Sequence, residues 1–160
     1  MREAQFNSEV MKSLKSHGYW CYKIPDSPAS WTMDRTRFTA DKPFDIVACT
    51  YGGQMIAIEG KQTKKFESFG LKNMRDSQIE NLEKVHKLGG KALVFLNVRI
   101  KPDKSKGQKR VDRLIPFEWT EIRDRKESFK KQEIMDRQYI EKKTFGDERL
   151  YDLGEYLVSL

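Results

Sequence analysis

The chain has 160 residues, 38% hydrophobic and 34% charged, with a formal net charge of +7. Those values suit one polar-surfaced domain with a real core, and they exclude a disordered or fibrous chain. No apolar run approaches the ~18 residues of a membrane span, and Met1-Arg2-Glu3-Ala4-Gln5 lacks a signal-peptide core, so the expectation is a cytoplasmic protein without a membrane partner.

In chain order, Phe6, Val10 and Leu14 recur at helical spacing and predict a first helix ending at Gly18. Tyr19 to Ile24 reads as a strand, and residues 25–42 as a long polar connection of the kind that often carries function. Phe44 to Ala48 and Met55 to Lys61 are apolar runs separated by Tyr51-Gly52-Gly53-Gln54, which predicts a hairpin. A helix is expected from Asp76-Ser77 to Gly89-Gly90, with Ile79, Leu82 and Val85 or His86 as its apolar stripe. Lys91 to Val98 reads as a buried central strand, residues 99–113 as a basic loop, and Arg110 to Phe117 as an edge strand.

Beyond Glu118 the chain is charge-rich with helical periodicity. The expected organisation is an α/β domain over 1–117, a central mixed sheet flanked by helices, with a helical C-terminal extension over 118–160. That extension either packs back on the domain or sits at a subunit interface. Cys21 and Cys49 fall in predicted strands, and buried reduced thiols are expected. Trp20 and Trp119 are expected in the core; Trp31, in the long connection, is the one candidate for stacking on a partner.

Charge is unevenly distributed. Residues 1–117 carry 22 Lys/Arg against 13 Asp/Glu, whereas residues 118–160 carry 9 against 11. A polyanionic partner accounts for the excess.

The same part of the chain holds the chemistry. Side chains alternate along a strand, so Met55, Ala57, Glu59 and Lys61 share one face. In the predicted hairpin Asp45 pairs near Glu59, and the three charged groups converge at its open end. Hard carboxylate oxygens, with the Gly60 carbonyl beside them, suit Mg²⁺. A metal there activates water and offsets charge at phosphorus, and Lys61 can orient that water. A bare Glu-x-Lys says little, since Glu141-Lys142-Lys143 repeats it without an upstream Asp in a strand.

Pro43-Phe44-Asp45 with Glu59-Gly60-Lys61 resembles the PD-(D/E)xK nuclease motif. More narrowly, the chain resembles Holliday junction resolvases of the archaeal Hjc and Gram-positive RecU types, possibly phage-encoded. Phe69-Gly70-Leu71-Lys72-Asn73-Met74 with Ser77-Gln78 is similar to the RecU segment leading into its second helix. The resemblance covers residues 3–117 and implies a restriction-endonuclease-like fold and a metal-dependent endodeoxyribonuclease that resolves four-way junctions by paired nicks. It also implies a homodimer on branched double-stranded DNA, with Mg²⁺ as cofactor, Mn²⁺ substituting and no small-molecule cofactor.

By position, the resemblance makes Glu9 of the first helix a metal-site glutamate and Ser30 the active-site serine of the loop after the first strand. The catalytic set is then Glu9, Ser30, Asp45, Glu59 and Lys61, with Glu9, Asp45, Glu59 and Gly60 on the metal. Candidate DNA contacts are Arg2, Arg35, Arg37, Lys42, Gln62, Lys64, Lys65, Lys72 and Gln78. Gln62 either faces the far side of the sheet or bonds a phosphate, and Gln78 either contacts DNA or caps its helix. Two departures stand out: the RecU stalk is replaced by the turn at Gly52-Gly53, and the tail after Glu118 matches neither type. Alternatives are a restriction-like enzyme or repair nickase of the same superfamily, and a non-catalytic DNA-binding module.

Overall fold

A computed structural model describes residues 3–25, 42–63, 68–100, 105 and 111–159. Helix α1 spans Glu3–Ser16, and five strands form the main sheet: β1 (Trp20–Lys23), β2 (Ile46–Cys49), β3 (Met55–Thr63), β5 (Lys91–Ile100) and β6 (Val111–Glu118). The two-residue β4 (Ser68–Phe69) and helix α2 (Asp76–Lys87) lie between β3 and β5. The sheet order is β1-β2-β3-β5-β6, antiparallel except for the parallel β3–β5 pair. A parallel pair needs a crossover, and α2 supplies it. The sheet is therefore mixed, as the order of the predicted elements implies.

Both faces of the sheet are covered at β5, and that explains its unbroken apolar run. Leu93 and Phe95 pack with Phe6, Val10 and Leu14 of α1, while Val94 and Leu96 pack with Leu82 of α2 and with Phe117 and Trp119. In β3 the same alternation sends Ile56 and Ile58 toward α1 and Ala57 toward α2. Glu59 and Lys61 inherit the α2 face.

The β2–β3 connection is tight: Gly53 donates to Thr50 O at 3.0 Å and Thr50 to Gln54 O at 2.9 Å. Gly53 takes φ +81°, a conformation that glycine adopts without Cβ strain.

The tail is less helical than its charge periodicity suggests. It runs through α3 (Trp119–Arg123), β7 (Phe129–Lys130), α4 (Lys131–Met135), β8 (Lys142–Phe145), β9 (Glu148–Tyr151) and α5 (Gly154–Val158). β7 pairs with β4, and β8–β9 form a hairpin of their own. Tyr151, Leu153 and Leu157 are buried with the apolar face of α1, so this segment packs back on the domain. Tyr151 N donates to Ser13 Oγ at 2.9 Å, and the Tyr151 ring meets Phe6 edge-on at 6.0 Å.

Trp119 is 1% exposed, but Trp20 is 61% exposed, against expectation. On β1 the buried side chain is Cys21, which faces α1, so Trp20 and Tyr22 take the opposite face. The sheet register lines Trp20 up with Cys49 and Met55, and α2 packs further along, on β3 and β5. Tyr22 (56% exposed) and Met55 (38%) complete an open apolar strip. Both cysteines are free thiols. No helix among the described residues is long and apolar enough to cross a membrane.

Candidate active site

Asp45 immediately precedes β2, and the β2–β3 register, Ile46 opposite Ile58, sets it across from Glu59. Asp45 N donates to Ile58 O at 3.1 Å, and Asp45 Oδ2 accepts the Gly60 N–H at 2.9 Å. The carboxylate is thereby fixed in direction. Lys42 Nζ lies 2.6 Å from Asp45 Oδ1.

Glu59 is 0% exposed. Its Oε1 accepts from Gln78 Nε2 and lies 3.0 Å from Lys61 Nζ, while its Oε2 is buried without a hydrogen-bond partner. Burial, then the nearby Asp45 charge, push its carboxyl up to about 7 despite the opposing Lys61 ammonium. Lys61 is held by Glu59 and by Gln78 Oε1 at 3.0 Å. Gln78 Oε1 also accepts from Arg75 N at 3.1 Å, so one buried amide caps α2 and braces the charged pair.

Glu3, in the first turn of α1, completes the cluster. Ligand atoms of Glu3, Asp45 and Glu59 all lie within 4.8 Å of one another. Burial and the Asp45 charge raise the Glu3 carboxyl above its ordinary value. Three carboxylates this close resist joint ionisation unless cations offset them. Lys42 and Lys61 supply part of that charge. The hard-oxygen donor set and the unpartnered Glu59 Oε2 fit a divalent ion such as Mg²⁺ or Mn²⁺.

The structure brings Asp45, Glu59, Gly60 and Lys61 together but places Glu9 elsewhere. Six residues along a helix is a rotation of roughly 120° from Glu3, and Glu9 points to the far edge of the sheet. There its Oε2 lies 2.6 Å from Lys142 Nζ and 3.8 Å from Arg99. The signal for Glu3 was in the sequence: it continues the stripe of Phe6, Val10 and Leu14 toward the helix start, whereas Glu9 does not.

Asn7 also escaped the sequence reading. It is 2% exposed and packs behind Gly60, where an added Cβ would lie 2.0 Å from Asn7 Oδ1. Glycine at 60 is therefore a requirement of this close approach.

Three of the proposed DNA contacts are occupied inside the fold. Lys42 is committed to Asp45, and Gln78 to Glu59 and Lys61. Gln62 takes the opposite face from Lys61 and donates to Asn97 Oδ1 at 3.0 Å. Lys72 is exposed on the turn before α2. Arg2, Ser30, Trp31, Arg35, Arg37, Lys64, Lys65 and most of the 99–113 basic stretch lie outside the described residues.

The fold has a counterpart among solved structures. It is similar to the Holliday junction resolvase Hjc of the archaeal hyperthermophile Archaeoglobus fulgidus, with a TM-score of 0.51 and 16% identity, covering 96% of this chain and 98% of that one. By sequence, residues 30–148 match the model of the RecU family, Recombination protein U, and the chain belongs to that family. The match runs through the tail as far as residue 148, beyond the residues 3–117 over which the motifs alone resemble the RecU type. A 47-residue stretch is 43% identical to the Holliday junction resolvase RecU of Bacillus pumilus (strain SAFR-032), covering 29% of this chain and 23% of that relative.

Proposed function

We propose that the protein is a divalent-metal-dependent endodeoxyribonuclease that resolves four-way DNA junctions, working as a two-fold homodimer. The observation that carries this is the convergence of Glu3, Asp45 and Glu59 beside Lys61 in a basic chain of the RecU family. In this reading Glu3, Asp45 and Glu59 hold the metal, with the Gly60 carbonyl beside them. Bound there, Mg²⁺ supplies Lewis-acid activation of water and neutralises charge at the phosphate.

The protein's own groups do the rest. The Gly60 N–H keeps Asp45 aimed at the cluster, and Gln78 keeps Glu59 and Lys61 in one arrangement. Lys61 faces the scissile phosphate, where its ammonium orients the attacking water and stabilises charge developing on oxygen.

Asp45→Asn is expected to lower Mg²⁺-dependent cleavage of a synthetic four-way junction by about 10³-fold or more, while binding of the junction persists. Full activity would sink the site. Equal cutting of linear duplex by the wild-type protein would favour a restriction-like enzyme. Binding without cleavage of any DNA, at any Mg²⁺ or Mn²⁺ concentration, would favour a non-catalytic module.

Paired nicks on a two-fold junction call for two symmetric sites. The exposed strip of Trp20, Tyr22 and Met55 offers such a dimer an apolar surface. The Trp20→Glu, Tyr22→Glu double variant is expected to sediment as a monomer and to nick junctions singly. An unchanged mass would place the interface elsewhere.

A further inference from the structure

A second charged site lies at the same end of the sheet, round the edge strand β6. A cleft of about 620 Å³ is lined there by Glu9, Asp112, Arg113, Glu141, Lys142 and Arg149, and it is larger than the clefts of about 210 and 170 Å³ elsewhere among the described residues. Thr63, two residues past Lys61, pairs with Val98, and Val98 with Arg113. Strands lie about 4.8 Å apart, so the cleft is only roughly 10 Å across the sheet from the line of β3.

Its acids are mostly spoken for. Asp112 Oδ2 lies 2.7 Å from Arg99 and 3.4 Å from Lys142, and Glu9 is 2.6 Å from the same lysine. Asn97, fully buried, donates to Asp112 Oδ1 at 3.1 Å and to the Tyr151 hydroxyl at 3.0 Å, so the floor is rigid. Burial alone would raise the Asp112 carboxyl, but Asn97, Lys142 and Arg99 outweigh it and hold the group below its ordinary value.

Arg113 and Arg149 are different. Neither has a carboxylate partner among the described residues; Arg113 stacks over the Tyr139 ring at 3.9 Å, and Arg149 reaches only the Lys142 carbonyl, at 3.5 Å. Two guanidinium groups thus line the cleft without a counter-ion among the described residues, against the single exposed carboxylate of Glu141. In sequence, residues 101–110 between β5 and β6 carry Lys101, Lys104, Lys106, Lys109 and Arg110 against Asp103 alone.

We propose that this cleft binds phosphates of the DNA backbone through Arg113 and Arg149, as a contact separate from the acid cluster. Planar guanidinium groups suit bidentate phosphate recognition. The cleft then grips a stretch of DNA outside the strand being cut. The inference rests on the proposed nucleic-acid function, but its test does not depend on cleavage.

Binding of a synthetic four-way junction and of a linear duplex is measured without added metal, by fluorescence anisotropy across a salt series. Arg113→Gln and Arg149→Gln are each expected to reduce the slope of log affinity against log salt by about 1, and the pair by about 2. Thermal melting of the variants checks their folding. Lys87→Gln, at the far end of α2, removes one charge elsewhere as a control. Unchanged slopes in the arginine variants, or an equal loss in the Lys87 control, overturn the cleft. If the slopes fall while the wild-type protein neither cleaves nor prefers junctions, the cleft stands and the resolvase reading fails. A wild-type protein that binds neither DNA overturns both.

Discussion

Glu59→Gln is expected to stabilise the metal-free protein at pH 8 while eliminating cleavage. Glu59 is buried between Asp45 and Lys61, and its carboxyl titrates near 7 in the folded protein against 4.5 for an ordinary glutamate. The folded state therefore binds this proton more tightly than the unfolded state does. The group's contribution to stability is fullest below about pH 4.5, declines as pH rises toward 7, and is constant above it. A separation of about 2.5 pKa units corresponds to roughly 3 kcal/mol.

Glutamine keeps the shape and can still accept from Gln78, but it carries no charge to bury. Urea unfolding should thus find the variant more stable than wild type at pH 8, by an amount that shrinks toward zero near pH 4.5. A variant that is less stable by the same margin at both pH values would refute the assignment. Mg²⁺ tests the other half: it should raise the melting temperature of the wild-type protein and leave the variant unmoved. Below pH 7, binding should release a proton, because the ion competes with it for Glu59.

The second large effect is steric. Gly60→Ala places a methyl group 2.0 Å from Asn7 Oδ1 and 3.0 Å from its Cγ. Overpacking of this kind typically costs 1–3 kcal/mol. Here the displaced part is an amide on α1, the helix that carries Glu3, so cleavage should fall together with stability. Asn7→Ala removes the obstruction and a buried Oδ1 that has no hydrogen-bond partner, and by itself it should be nearly neutral. Combining the two should recover most of the stability lost in Gly60→Ala, giving a favourable coupling of about 1–2 kcal/mol in a double-mutant cycle. Strict additivity in urea unfolding would mean that α1 does not press on Gly60 as the packing requires.

Much of the fold was legible because local signals agreed with the tertiary arrangement. The period of α1, the Gly52-Gly53 turn and the apolar run at Leu93 to Leu96 each have one interpretation in a doubly covered sheet. Asp45 and Glu59 could be brought together from the hairpin alone, since cross-strand pairing follows from the turn.

Glu3 could not be found that way. Choosing it over Glu9 depends on the rotation of α1 about its axis, and a position-by-position resemblance passes over that geometry. Gln78 shows the same limit: its capping role is local, whereas its contacts to Glu59 and Lys61 exist only because α2 crosses over β3. The tail was misread for a different reason. Lys142-Lys143-Thr144-Phe145 has no apolar alternation, and the β8–β9 hairpin buries only Leu150 and Tyr151 at one end. It is ordered by docking on α1 rather than by its own pattern.

That docking also sets an order of events during synthesis. The inner face of α1 is finished by Tyr151, Leu153 and Leu157, more than a hundred residues downstream. While the chain is being made, the helix bearing Glu3 and Asn7 is synthesised long before these packing partners and waits for them. The acid cluster is therefore firmly seated only after β9 and α5 have been made, and a product stalled before β9 carries Asp45, Glu59 and Lys61 without a firmly held third carboxylate.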